Sequence, residues 1–153
     1  MVLIVQLESM DVSLHVSNAS KAYSKPLFED VFLNVEKPAK IALIGDNGSG
    51  KSTFLKMLAG LETVPVGQIA WGKDARVGYL EQEIIEGLNE ASGGEKKIIK
   101  ISQLFYSDNN VLLLDEPDNH LDLDNKIWFE KLVKDYPGTI IVISHDRTFL
   151  KSA

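Results

Sequence analysis

The chain has no cysteine, which rules out both a disulfide framework and a thiolate metal site, so its 153 residues must hold together by core packing. Positive charge is in short supply: 16 Lys and Arg against 22 Asp and Glu leave a net charge of −6, and with it no broad field to attract nucleic acid. Any RNA or DNA contact would have to be local. Long hydrophobic runs are missing too. The N-terminal run Val2 to Val5 is too short for a bilayer span and no basic stretch precedes it, so a cytoplasmic location is expected. With 44% apolar and 25% charged residues, no internal repeat, no low-complexity tract and no long linker, residues 1–153 read as a single globular domain.

Short runs rich in Val, Ile and Leu alternate with amphipathic stretches, which predicts an α/β fold around a buried, largely parallel sheet. Three runs, Ile41 to Ile44, Val111 to Leu114 and Thr139 to Ser144, each end in a polar cluster where a strand should stop. Helices are expected over Lys51 to Leu61, with Gly60 as the stop, and over Asp122 to Asp135, where Ile127, Trp128, Lys131 and Leu132 would form the apolar face. Ser13 to Val16 and Val31 to Val35 alternate apolar with polar residues, as half-exposed antiparallel strands do; Gln68 to Trp71 and Val77 to Leu80 are read the same way. A small antiparallel β-layer should therefore flank the parallel core.

Gly45-Asp46-Asn47-Gly48-Ser49-Gly50-Lys51-Ser52 fits the phosphate-loop pattern in full and lies between an apolar strand and an amphipathic helix. Its glycines let the backbone turn N–H groups inward, and the following helix, from Lys51, Ser52 and Thr53 onward, adds its positive dipole end. Lys51 is placed to reach the β- and γ-phosphates of a nucleotide, and the Ser52 hydroxyl to ligate Mg²⁺. A metal-bound triphosphate also needs carboxylates, which Val111-Leu112-Leu113-Leu114-Asp115-Glu116 presents at a strand end. Successive side chains there point apart, so Asp115 can face the metal while Glu116 polarises water. Ser92-Gly93-Gly94-Glu95 precedes a helix-like run and offers a second anion-binding helix start, and His145 follows the next apolar strand, within reach of a γ-phosphate.

In this order of motifs the chain resembles the ATP-binding cassette (ABC) ATPases, and most the translation-associated F subfamily, whose D-E-P-T-N-H-L-D run appears as Asp115 to Asp122 with Asp118 in place of Thr. Ser144-His145-Asp146-Arg147-Thr148-Phe149-Leu150 is similar to that subfamily's switch-histidine segment. The resemblance implies a phosphate-loop NTPase core of RecA type, ATP and Mg²⁺ as ligands, Tyr23 stacking on adenine, and Gln82 sensing metal and attacking water. It also implies that two cassettes face each other, with Ser92, Gly93 and Gly94 closing over the other chain's nucleotide and Asp122 linking the two sites.

Several positions depart from the family pattern. Only nine residues, Glu83 to Ala91, separate Gln82 from Ser92, where the family places a helical subdomain; they span at most about 30 Å extended. Ala91 replaces a Leu, and Ile98 and Ile99 stand where Arg and Val are usual. Without the missing helices, Ile84, Ile85, Ile98 and Phe105 are expected to be exposed and to promote self-association. Lys96, Lys97 and Lys100 read as a solvated helix face. No Asn-Lys-x-Asp guanine motif is present, since Asp124-Asn125-Lys126 runs into Ile127, and this favours adenine. The expected activity is Mg²⁺-dependent ATP hydrolysis by a dimer. A non-hydrolysing ATP-binding module and a transporter's ATP-binding subunit are the alternatives, and a ribosome or a transporter subunit the candidate partner.

Overall fold

A computed structural model describes residues 11–36, 38–82 and 90–145, and of 90–93 the backbone alone. Two sheets and three helices are built from them. A parallel sheet of order β3-β7-β6-β5 combines Lys40–Leu43, Thr139–Ile143, Val111–Asp115 and Val77–Leu80; an antiparallel sheet of order β2-β1-β4 combines Pro26–Val35, Leu14–Ala22 and Val66–Trp71. The helices are α1 (Lys51–Leu58), α2 (Glu90–Phe105) and α3 (Leu123–Asp135).

Every residue of β6 and β7 is buried, because these central strands are covered on both faces and so read as unbroken apolar runs. Alternation then sorts their side chains. Leu112, Leu114, Ile140 and Val142 pack against α2 and α3, while Val111, Leu113, Ile141 and Ile143 meet α1 and the antiparallel sheet. The core is thus two layers divided by the parallel sheet, and the strand tips point toward the loops after β3, β6 and β7.

The structure moves one strand from its expected place. Val77–Leu80 pairs with β6 in parallel, not with the antiparallel layer. An edge strand lacks a neighbour on one side, so its half-exposed alternation is indistinguishable in sequence from that of an antiparallel strand. Ile44 lies past the end of β3 and is exposed. Helix α1 is shorter than Lys51 to Leu61, ending where Gly60 adopts φ 72°. The N–H of Gly60 donates to Met57 O (3.1 Å) and that of Leu61 to Lys56 O (2.9 Å), the paired bonds of a left-handed glycine stop.

The buried face of α3 is Phe129 and Val133, with Trp128 and Leu132 at its flanks, whereas Ile127 points outward. On α2, Phe105 is buried edge-on to Phe129 (6.1 Å) and Tyr136 (5.4 Å), and Ile98 packs on the same cluster. The expected exposed patch is therefore absent at these two positions. Its other members, Ile84 and Ile85, lie outside the described residues. Ile99 is the exposed one.

Asp122 caps α3, its carboxylate accepting from the Asn125 N–H at 2.9 Å. Asp122→Ala should cost about 1 kcal/mol of stability in chemical denaturation of the chain, with the slope of the transition unchanged.

Candidate nucleotide site

An open cleft of about 540 Å³ lies where the tips of β3, β6 and β7 meet the edge of the antiparallel sheet. One wall is the phosphate loop and the start of α1, from Asn47 and Gly48 through Gly50, Lys51, Ser52 and Thr53. Tyr23 and Leu27 form another, and Gln82, Glu116 and His145 close the far side. Ten of the sequence-derived site residues thus share one cavity. Gly45 and Ser49 stand behind the loop, where a Cβ on Gly45 would come within 2.9 Å of Ser49 Oγ.

The loop works through its backbone. Gly48 and Gly50 take φ 79° and 88°, and a Cβ on Gly50 would lie 2.9 Å from the Phe28 ring, so glycine alone fits there. Gly50 caps α1 without any side-chain hydrogen bond, and no acidic residue occupies the first turn. The helix therefore presents its positive end to the cleft. Lys51 Nζ is folded over the loop mouth, donating to the carbonyls of Gly45 (2.8 Å) and Asp46 (2.7 Å).

Asp115 is 1% exposed, and neither of its carboxylate oxygens has a hydrogen-bond partner among the described residues. Burial pushes its pKa up, and the Glu116 charge adds to this; the Ser52 hydroxyl and Lys56 oppose it. Burial, then the Asp115 charge, likewise raises the Tyr79 phenol, whose buried hydroxyl also has no hydrogen-bond partner among the described residues. A buried carboxylate with two idle oxygens beside a hydroxyl is the donor set of a hard divalent cation, and Mg²⁺ fits it.

Glu116 is gripped from several sides. Its Oε2 accepts from Gln82 Nε2 at 2.9 Å and from Asn119 Nδ2, and His145 Nε2 stands 3.2 Å from Oε1. Its backbone takes φ 48°, which turns the side chain away from the strand direction and into the cleft. His145 is 49% exposed and open to a ligand. Tyr23 is 64% exposed, with Lys21 Nζ 5.3 Å from the ring centre.

The signature segment is placed differently from expectation. Helix α2 begins at Glu90, so Ser92, Gly93 and Gly94 lie inside its opening turns and do not precede it. Three further residues were not singled out as part of this site. Asn119 reaches Glu116, as above. Asp118, where the family carries Thr, is buried and accepts from Ser144 Oγ at 2.8 Å, tying the loop after β6 to the residue before His145. Lys97 is 4% exposed and so is no part of a solvated face. Its signal was in the spacing: Lys97, Ile101 and Phe105 share one buried stripe at i, i+4, i+8.

Residues 28–84, which include the phosphate loop, match the ABC transporter family. The fold agrees: a metal-chelate type ABC transporter in an inward-facing conformation superposes with a TM-score of 0.74 over 94% of this chain and 77% of its own, at 21% identity. An ABC transporter ATP-binding protein from Pyrococcus furiosus gives 0.69 over 88% and 92%, at 18% identity. In the sequence of its phosphate-loop segment and in its fold the chain is similar to ABC-type ATPase domains.

Within that class its sequence is similar to F-family proteins. It is 32% identical to the ABC transporter F family member 5 of Arabidopsis thaliana (83% of this chain, 24% of that protein) and 31% identical to the ribosome protection protein VmlR of Bacillus subtilis (90% and 32%). The chain spans a third or less of the length of these relatives. The alignment with VmlR runs over 177 positions against 153 residues here, so that relative holds residues with no counterpart in this chain. No helix among the described residues is long and apolar enough to cross a membrane.

Proposed function

We propose that the chain binds ATP with Mg²⁺ in this cleft and hydrolyses it once a second cassette, a copy of itself or a partner, supplies the facing half of the site. The observation that carries the reading is the idle, buried carboxylate of Asp115 directly behind Ser52, beside a phosphate loop whose helix end is uncapped. Backbone N–H groups and Lys51 take the phosphates, Ser52 and Asp115 hold the metal, and Tyr23 covers the adenine. Bound Mg²⁺ neutralises phosphate charge. Glu116 accepts the proton of the attacking water as the water oxygen bonds to the γ-phosphorus and the bond from that phosphorus to the β–γ bridging oxygen breaks, so that ADP leaves with the bonding pair; His145 steadies the γ-phosphate.

Asp122 caps its own helix, and by this reading the α3 start it organises lies at the facing surface with Ser92, Gly93 and Gly94. Titration calorimetry of ATP with and without Mg²⁺ tests the binding. Turnover per chain, measured against protein concentration, should rise steeply with concentration before levelling off. A rate per chain that is flat and nonzero would remove the two-cassette requirement. A second reading, binding without hydrolysis, is favoured by the signature segment's position within α2. Tight Mg²⁺-dependent ATP binding with no phosphate release at any concentration would select it.

Partner choice follows from kinship alone. The F-family relatives favour a ribosome-associated role, with transporter energisation the competing one. With Lys97 buried, only Lys96 and Lys100 of the three lysines remain candidates for contact with RNA.

A further inference from the structure

The loop after β6 is strained and yet must hold Glu116 in one pose. Glu116 has φ 48° and His120 φ 64°, both left-handed and neither glycine. Such residues persist only where the surroundings over-determine them. One side chain from a distant helix does much of this: Lys97 Nζ donates to the backbone carbonyl of Glu116 at 2.8 Å and to that of Asn119 at 2.9 Å. The two carbonyls bracket the loop, one at the catalytic carboxylate, the other directly before His120. The first turns of α2 also lie against the loop, since a Cβ on Gly94 would sit 3.7 Å from the His120 carbonyl oxygen. Lys97 itself is held on the buried stripe of α2 by Ile101 and Phe105.

We propose that Lys97 is a positioning residue that clamps the Glu116 loop to the helix carrying Ser92, Gly93 and Gly94, so that the signature segment and the water-activating carboxylate of one chain move as a unit. The inference rests on the functional reading above. If the signature meets the other cassette's nucleotide, its engagement there is felt at Glu116 of its own chain through two charge-assisted hydrogen bonds.

The test compares Lys97→Met, which keeps the stem and removes the donors, with Lys97→Arg, which keeps the charge. Lys97→Met should lower kcat at least tenfold with KM and the ATP dissociation constant within twofold, and Lys97→Arg should recover most of the loss. A native kcat in the Met variant, or equal losses in Met and Arg, overturns the proposal. A parallel loss of ATP binding overturns it as well, because that marks general damage. Nitrogen-15 NMR reads the clamp without turnover: the Glu116 backbone amide and the Asn119 side-chain amide should shift in Lys97→Met, while the Gly48 and Gly50 amides stay. Unmoved Glu116 and Asn119 signals overturn the clamp even in an active protein. An inactive native chain whose Glu116 and Asn119 signals do shift sinks the hydrolysis reading and leaves the clamp standing. Should the Met variant not fold, Lys97→Gln is judged by the same criteria.

Discussion

Glu116→Gln should lower ATP turnover by about 10² to 10³-fold while leaving nucleotide affinity within a few-fold of native. The substitution is nearly isosteric, and the amide oxygen can take over the bonds that Oε2 now receives from Gln82 and Asn119. What the amide cannot do is accept a proton from water. The loss should appear in kcat, with little change in KM, because in the proposed function Glu116 faces the attacking water and takes no part in the grip on the phosphates. Equal turnover in the two proteins would remove Glu116 from the chemistry and leave His145, 3.2 Å away, as the next base to test.

Asp115→Asn is expected to separate stability from function. Among the described residues neither oxygen of this buried carboxylate has a hydrogen-bond partner of normal geometry, and the Ser52 hydroxyl beside it only partly offsets burial, so its charge is carried at a cost. Replacing it with a neutral amide should raise the stability of the ligand-free chain at pH 7 by about 1 kcal/mol or more. The same change should abolish the extra thermal shift that Mg²⁺ adds to ATP, since the cation loses its anchor. The pH dependence has a definite sign. Burial holds the folded-state pKa above that of the unfolded chain, so the folded chain binds the proton more readily. That preference favours folding at acid pH and is lost as pH rises through the folded value. The advantage of Asp115→Asn should therefore shrink on acidification, beginning above the usual carboxylate range. Denaturation curves at several pH values check this, and an Asn variant less stable at pH 7 in the absence of Mg²⁺ would contradict it.

How much was legible depended on whether a feature is local. The phosphate loop was, because its demand for positive φ at Gly48 and Gly50 and for a lysine at the helix start is met by adjacent residues. The buried strands β6 and β7 were, because covering both faces leaves an unbroken apolar run. The partner of Val77–Leu80 was not, since an edge strand looks alike in either sheet. Lys97 differs from its expected place for a related reason: a lysine is normally solvated, and the acceptors waiting in the Glu116 loop help to make its burial tolerable.

Sequence alone determined the class of this chain, its phosphate-gripping loop and the acids at the end of β6, because those groups lie within a few residues of one another and backbone geometry fixes their relation. Tertiary structure alone decided which of them meet. It brought Gln82, Asn119 and His145 onto one carboxylate, buried Asp115 beside Ser52 with no hydrogen-bond partner of normal geometry among the described residues, and ran a buried lysine from α2 into the strained turn at Glu116. These contacts join segments far apart in the chain, and what sets them is the crossing of strand tips over a packed core, which no local pattern encodes.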